Sequence, residues 1–238
     1  HLKPGKPYEV KISFAPVASI NIPIMEIRDI DFGYDSKELI YKKMNFGLDM
    51  DSRITIVGAN GVGKSTLLKL VAKELDPLSG EVFHNNRLRL GYYHQHTIEY
   101  LPLNETPVDF IMGLDNELTI QDARKYLGMI GLEGKLHTKK IELLSGGEKS
   151  RVALVAIFVG KPHIILFDEP TNHLDIETVE ALIKAIKDYN GGVIMVTHDV
   201  DLILETDCIL WEINKGIIKE TTYDAYHDRI LDEVSNYA

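Results

Sequence analysis

The sequence predicts an α/β fold with a mainly parallel sheet core, an antiparallel β portion and an inserted helical subdomain. Three observations carry that expectation. A strand pattern, Arg53–Val57, runs into the glycine-rich stretch Gly58–Gly63 and then into helically spaced leucines. After residue 160, short apolar runs alternate with amphipathic segments, the order that builds a parallel sheet covered on both faces. Between these, residues 105–160 carry helical spacing and turn signals, with no strong strand from Thr106 to Leu143.

Taken in order, residues 1–23 are punctuated by Pro4, Pro7, Pro16 and Pro23 and read as a linker or lead-in, with a short extended piece at Tyr8–Phe14. Apolar alternation from Ile24 to Ile30 predicts a strand and opens a domain expected to span residues 24–238. Leu67, Leu68, Leu70, Val71 and Leu75 predict a helix behind the glycines. A helical subdomain is expected over about residues 103–160, ending in the apolar helix Val152–Val159. Then follow a buried strand at Ile164–Phe167, a helix at Val179–Lys187, a strand at Val193–Val196 and a short helix at Val200–Glu205. Cys208–Ile213 and Ile217–Ile218 predict a hairpin around Asn214-Lys215-Gly216, with Trp211 and Cys208 as packing residues. Tyr223–Ala238 reads as a terminal amphipathic helix with Tyr226, Ile230 and Val234 on one face.

Composition narrows the function classes. With 238 residues, 45% of them hydrophobic, the chain can bury a sizeable core. The formal charge of −10 argues against a globally basic nucleic-acid binder, and residues 199–238 hold ten acidic against three basic side chains. The longest purely apolar run, Val152–Val159, is far short of the roughly 20 residues that span a bilayer. A single cysteine, Cys208, favours a reducing, cytoplasmic setting. His1-Leu2-Lys3-Pro4-Gly5 lacks the pattern of a secretory signal and reads as a cut end, so a longer parent protein is expected.

The chemistry begins at Gly58-Ala59-Asn60-Gly61-Val62-Gly63-Lys64-Ser65, a full G-x4-G-K-S phosphate loop in the strand–loop–helix context it requires. Glycines let backbone N–H groups turn onto phosphate oxygens, and the following helix offers its positive end to the same anion. Lys64 would reach the β- and γ-phosphates, and the Ser65 hydroxyl would ligate Mg²⁺. Four apolar residues, Ile164–Phe167, place Asp168 and Glu169 at a strand's C-terminal end, where α/β sheets bind nucleotides. Asp168 would hold Mg²⁺, and Glu169 would polarise an attacking water as general base. Leu144-Ser145-Gly146-Gly147-Glu148 opens the apolar helix and has two readings on physics alone, an ordinary N-cap or an anion-facing helix end.

These residues together resemble the ATP-binding cassette superfamily, whose signature L-S-G-G-Q is matched at residues 144–148 except that Glu148 replaces the glutamine. The resemblance covers about residues 24–215 and implies a P-loop NTPase cassette that binds ATP and Mg²⁺ and hydrolyses ATP to ADP. It implies nucleotide contacts from Gly58, Asn60, Gly61, Gly63, Lys64, Ser65 and Thr66. Tyr34, in Asp31-Phe32-Gly33-Tyr34, is similar to the residue that stacks on adenine. Gln95 looks like the Q-loop residue near Mg²⁺, Asn172-His173-Leu174-Asp175 like the D-loop, and His198 like the switch histidine at the γ-phosphate. By the same resemblance two cassettes pack head to tail, and Ser145, Gly146, Gly147 and Glu148 close on the partner's ATP. Glu148 keeps the glutamine's length and an acceptor oxygen but adds a charge beside triphosphate, an expected tuning of about 1 kcal/mol on closure.

Plainer readings stand beside these. Tyr34 has a plainer reading as a half-buried core aromatic, Gln95 as an exposed loop residue and His198 as a satisfied core histidine, each set aside by its order and position among the motifs. His94 and His96 flank Gln95, yet the sequence supplies no further ligands for a metal there. Lys135, Lys139, Lys140, Lys149 and Arg151 form a locally basic stretch, read first as a solvated helix face. Between kinds of cassette, Asp168-Glu169-Pro170-Thr171-Asn172-His173-Leu174-Asp175 resembles the ABC-F form, a non-transporting family linked to ribosomes and translation. The alternative is the ATPase subunit of a membrane transporter. Only about fifty residues separate Gln95 from Ser145, limited room for a helical region that engages membrane partners. The resemblance, closest to a second cassette of eukaryotic ABC-F proteins, implies a second cassette in one longer chain, a ribosome or RNA partner, no membrane insertion and slow turnover for one cassette alone.

Overall fold

The computed structural model describes residues 16–237, so the expected extended piece at Tyr8–Phe14 and the terminal Ala238 lie outside the described residues. The chain first lays down β1 (Met25–Phe32) and β2 (Tyr41–Leu48), then β3 (Arg53–Val57), which feeds the glycine loop and α1 (Lys64–Val71). β4 (Ser79–His84) and β5 (Leu90–Tyr93) precede a helical stretch of α2 (Pro107–Leu114), α3 (Ile120–Met129) and α4 (Gly146–Val159). Then β6 (Ile164–Asp168), α5 (Ile176–Asp188), β7 (Gly192–Val196) and α6 (Val200–Glu205) alternate. The hairpin β8 (Ile209–Asn214) and β9 (Ile217–Thr221) and the helix α7 (Tyr223–Asn236) end the described chain.

Two sheets result. β1 lies between β2 and β4 in a three-stranded antiparallel sheet. The larger sheet runs β5-β6-β7-β3-β8-β9, parallel throughout except for the closing hairpin β8–β9. The expected α/β class, with a mostly parallel sheet and helices, is what the chain adopts. β6 and β7 explain why: each is a continuous apolar run, and its period of two splits the residues between faces. Ile165, Phe167, Val193 and Met195 enter one core with α4 and α5. Ile164, Leu166, Ile194 and Val196 enter the other, against α1 and the antiparallel sheet. Both faces of the sheet are therefore filled, which holds the C-terminal strand ends still where the loops cluster.

Some elements differ from the sequence reading. The helix behind the glycines stops at Val71, short of Leu75, because Lys73 turns left-handed (φ 60°) and Glu74 N–H folds back onto Lys69 O at 2.9 Å. Three strands carry no legible alternation: β2 is bulged at Lys43 (φ 47°), β4 has three exposed residues around Gly80, and β5 is four residues long. Val17 lies beyond any regular element yet is buried, with Asn190 Nδ2 donating to its carbonyl and Asn190 Oδ1 accepting its N–H, each at 3.0 Å.

Candidate functional site

The glycine loop leaves β3 at Gly58 and enters α1 through Gly63, whose φ of 106° is a left-handed value that a side chain resists. A Cβ at Gly63 would also meet Ile40 Cγ2 at 2.7 Å. The Gly63 carbonyl is held from behind by the Tyr41 hydroxyl, donating at 2.7 Å, and burial pushes that phenol's pKa well up. In this loop Lys64 Nζ donates to Gly58 O at 2.7 Å and Ala59 O at 3.0 Å, a cation stored on carbonyls. Burial lowers the Lys64 pKa, opposed by the charges of Glu169 and Asp168.

The acids arrive on β6. Ser65 Oγ donates to Asp168 Oδ1 at 3.2 Å, joining the loop to the strand end. Burial raises the Asp168 pKa, with the Ser65 hydrogen bond working against it. Next door, Glu169 takes a left-handed backbone (φ 50°), pinned by its N–H donating to Val196 O at 2.8 Å. That conformation costs about 1–2 kcal/mol for a residue with a side chain, and such strain clusters at working sites. It aims the carboxylate at His198, with Glu169 Oε1 and His198 Nε2 3.3 Å apart. Burial raises the Glu169 pKa, and the His198 charge opposes it.

A cavity of about 470 Å³ joins these groups, lined by Tyr34, Asn60, Gly61, Gly63, Lys64, Ser65 and Thr66 on one side and Glu169 and His198 on the other. Asp168 meets it through Ser65, and Gly58 through Lys64. Tyr34 is 68% exposed rather than a core aromatic, stands edge-on to Phe32 and touches Thr66 Oγ1 through its hydroxyl at 3.0 Å. Gln95 does not line the cavity: it is exposed and opens a short 3-10 turn, Gln95–Tyr100, capped by His94. Burial lowers the His94 pKa, opposed first by the charge of Glu74 and less by that of Asp168.

Ser145, Gly146, Gly147 and Glu148 lie apart from the cavity, at the start of α4. They form a closed capping box: Ser145 Oγ accepts from Glu148 N–H at 3.2 Å, and Glu148 Oε1 accepts from Ser145 N–H at 2.9 Å. A Cβ at Gly147 would sit 3.3 Å from His173 O, so the 172–175 segment packs directly on this turn. Arg151 is not a solvated cation. It donates to Thr178 Oγ1 at 2.9 Å and Gly131 O at 3.3 Å and pairs with Asp175. Asp175 in turn caps α5, and its hydrogen bonds to Thr178, followed by the Arg151 charge, lower its pKa. Nor do the nearby lysines make one helix face: Lys135 sits in a 3-10 turn paired with Glu133 at 3.0 Å, and Lys140 precedes another.

Two tyrosines escaped the sequence reading. Tyr41 reaches the loop only because β2 folds beside it, so no local signal marks it. Tyr92 stands three residues before Gln95, with a buried hydroxyl that finds no partner among the described residues and a phenol pKa raised by burial, then by Asp168.

A phosphate loop, a strand-end acid pair and a histidine around one cavity, on a mostly parallel sheet with a helical insert, define a nucleoside-triphosphate-binding cassette. Sequence comparison carries this to a family: residues 41–172 match the family described as ABC transporter. The chain belongs to the ATP-binding cassette family, and its resemblance to the ABC-F branch is borne out by its relatives. It is 42% identical over 231 residues to Protein GCN20 of Saccharomyces cerevisiae, covering 96% of this chain and 31% of that one. It is 39% identical to ATP-binding cassette sub-family F member 2 of Bos taurus, covering 91% of this chain and 35% of the relative. The chain thus spans about a third of the length of these curated relatives. Among solved structures, a bacterial Atm1-family ABC exporter with ATP bound superposes with a TM-score of 0.71 at 25% identity, over 92% of this chain and 42% of that one. The dimeric post-hydrolysis cassette MJ0796, bound to ADP and Pi, superposes at 0.70 with 24% identity, over 84% of this chain and 98% of that one, a likeness of fold. Among the described residues no helix is long and apolar enough to cross a membrane.

Proposed function

We propose that the chain binds ATP with Mg²⁺ and hydrolyses it to ADP and phosphate, slowly when alone, and that ATP closes it head to tail on a second cassette. The observation that carries this reading is the Glu169–His198 pair, 3.3 Å apart at the wall of the phosphate-loop cavity. A raised carboxyl pKa suits Glu169 to take a proton from water, and His198 holds that carboxylate in place while facing the γ-phosphate end. Lys64 leaves the Gly58 and Ala59 carbonyls for phosphate oxygens, Thr66 releases Tyr34, and the freed Tyr34 ring offers a face to adenine. Ser65 and Asp168, a hydroxyl and a carboxylate 3.2 Å apart, are the hard oxygen donors Mg²⁺ prefers, and Gln95 joins them from its turn. Bound there, Mg²⁺ would neutralise phosphate charge. Ser145, Gly146, Gly147 and Glu148, outside this cavity, serve the ATP held by the other cassette.

We place this activity in a longer cytoplasmic ABC-F protein that acts on ribosomes during translation. Support comes from relatives near 40% identity whose names place them in the F family or sub-family, against 25% for the exporter. The test is the full-length protein carrying Glu169→Gln, sedimented with ribosomes and separately with membranes, in ATP and in ADP. ATP-dependent ribosome binding is expected. Membrane association without ribosome binding would overturn the translational reading in favour of a transporter subunit.

A further inference from the structure

The groove between α5 and α6 shares no lining residue with the phosphate-loop cavity. Its floor is apolar, made by Leu174, Val179 and Ile183, with Ile176, 79% exposed, at its edge. Its rim carries Glu180, Asp199, Asp201 and Glu205, and no lysine, arginine or histidine lines its volume of about 310 Å³. Asp199 uses one oxygen to cap Leu202 N–H at 2.9 Å. The carboxylates of Glu180, Asp201 and Glu205 enter no ion pair and accept no hydrogen bond among the described residues.

These charges are spread along the rim. Among the described residues, no three acids, histidines or cysteines converge closely enough to hold a metal ion, so the rim suits several separate cations. Water cannot satisfy the exposed Ile176 or the half-buried Leu174 and Val179 that line the groove with it. Any cover that buries them also desolvates the rim, a penalty that only positive charges offset. A phosphate backbone would be repelled, and a neutral peptide would leave buried carboxylates unpaired.

We propose that this groove docks a lysine- and arginine-rich amphipathic segment of a partner protein, its apolar side on Ile176 and Val179 and its cations over the rim. Position links the groove to the nucleotide site. Thr171 and Leu174 belong to the turn that follows Glu169, and Asp199 follows His198 directly. A docked segment therefore contacts both segments that carry the paired Glu169 and His198, and by linkage nucleotide state and docking affinity change together. That coupling rests on the proposed function; the docking does not.

The probe is a fluorescent synthetic helix of about 18 residues built from leucine and lysine, with a leucine–glutamate helix as its counterpart. Wild-type chain should bind the basic helix at micromolar level and ignore the acidic one. Glu180→Lys, Asp201→Lys and Glu205→Lys together should weaken binding by about tenfold or more, as should Ile176→Asp alone. The charge-matched triple Asp224→Lys, Asp228→Lys and Asp232→Lys on α7 should stay near wild type, with thermal melts confirming that each variant is folded. Equal losses in the two triples, or no wild-type binding at low salt, would overturn the docking site. In the Glu169→Gln background, affinity should differ between ATP and ADP. Equal affinity there, with ATP bound, overturns the coupling alone, while absence of ATP binding counts against the proposed function instead.

Discussion

Glu169 and Asp168 are neighbours with different proposed tasks, and their surroundings separate them. Glu169 stands left-handed against Val196 and faces His198, while Asp168 faces Ser65. Glu169→Gln removes the proposed base but keeps the shape, so hydrolysis should fall by about 10²–10⁴ while ATP binding persists, read by phosphate release against equilibrium binding. Because burial raises the Glu169 pKa, the wild-type rate should decline as pH falls through a value above the ordinary glutamate range. A rate flat with pH down to that ordinary range would remove Glu169 from the role. Asp168 supplies a stability test. Its folded-state pKa lies above its unfolded one, so its stabilising contribution is full below the unfolded value and lost as pH rises through the folded value. Asp168→Asn should therefore stabilise the nucleotide-free chain at neutral pH, by about 1 kcal/mol, flatten that pH dependence in thermal melts, and abolish the Mg²⁺ requirement for tight ATP binding.

At the scale of elements, the start of α4 does two jobs with one set of atoms. Its capping box satisfies orphan N–H groups, and the same turn is the proposed clasp for a partner's ATP. Ser145→Ala should cost about 1 kcal/mol of stability, whereas Glu148→Gln retains the acceptor and should leave the urea midpoint unchanged. The two variants thus separate cap from charge. Arg151 ties α4 to the N-terminus of α5 and to Gly131 behind α3. Arg151→Met should destabilise the chain by about 1–3 kcal/mol, since it strands a guanidinium's worth of acceptors, and Arg151→Lys should restore only part, because an ammonium cannot span three acceptors as a planar fork does.

For the whole molecule, one chain carries one complete phosphate loop and one detached Ser145–Glu148 turn. If each ATP needs both, turnover should rise with the square of protein concentration while dilute, and full activity in a demonstrated monomer would overturn the pairing. The order of motifs made the cassette legible from sequence, because the phosphate loop, the acid pair and His198 each follow a strand with a clear apolar run. Gln95 was singled out only by family likeness, and its exposed turn lies outside the cavity: no local pattern says which way a loop leaves a strand.

Sequence by itself determined the chemistry of the loop and the two-faced strands, since both follow from residue type and period along a contiguous segment. β6 and β7 alternate between two cores whatever packs on them, and Gly63 is needed wherever that backbone turns left-handed. Tertiary structure alone decided the rest. Tyr41 reaching Gly63, Arg151 clamped to Asp175 and the acidic rim drawn from two separate helices each join residues far apart in the chain. Their meeting depends on how sheets and helices pack, and side-chain pairing over such separations leaves no periodic mark in one sequence.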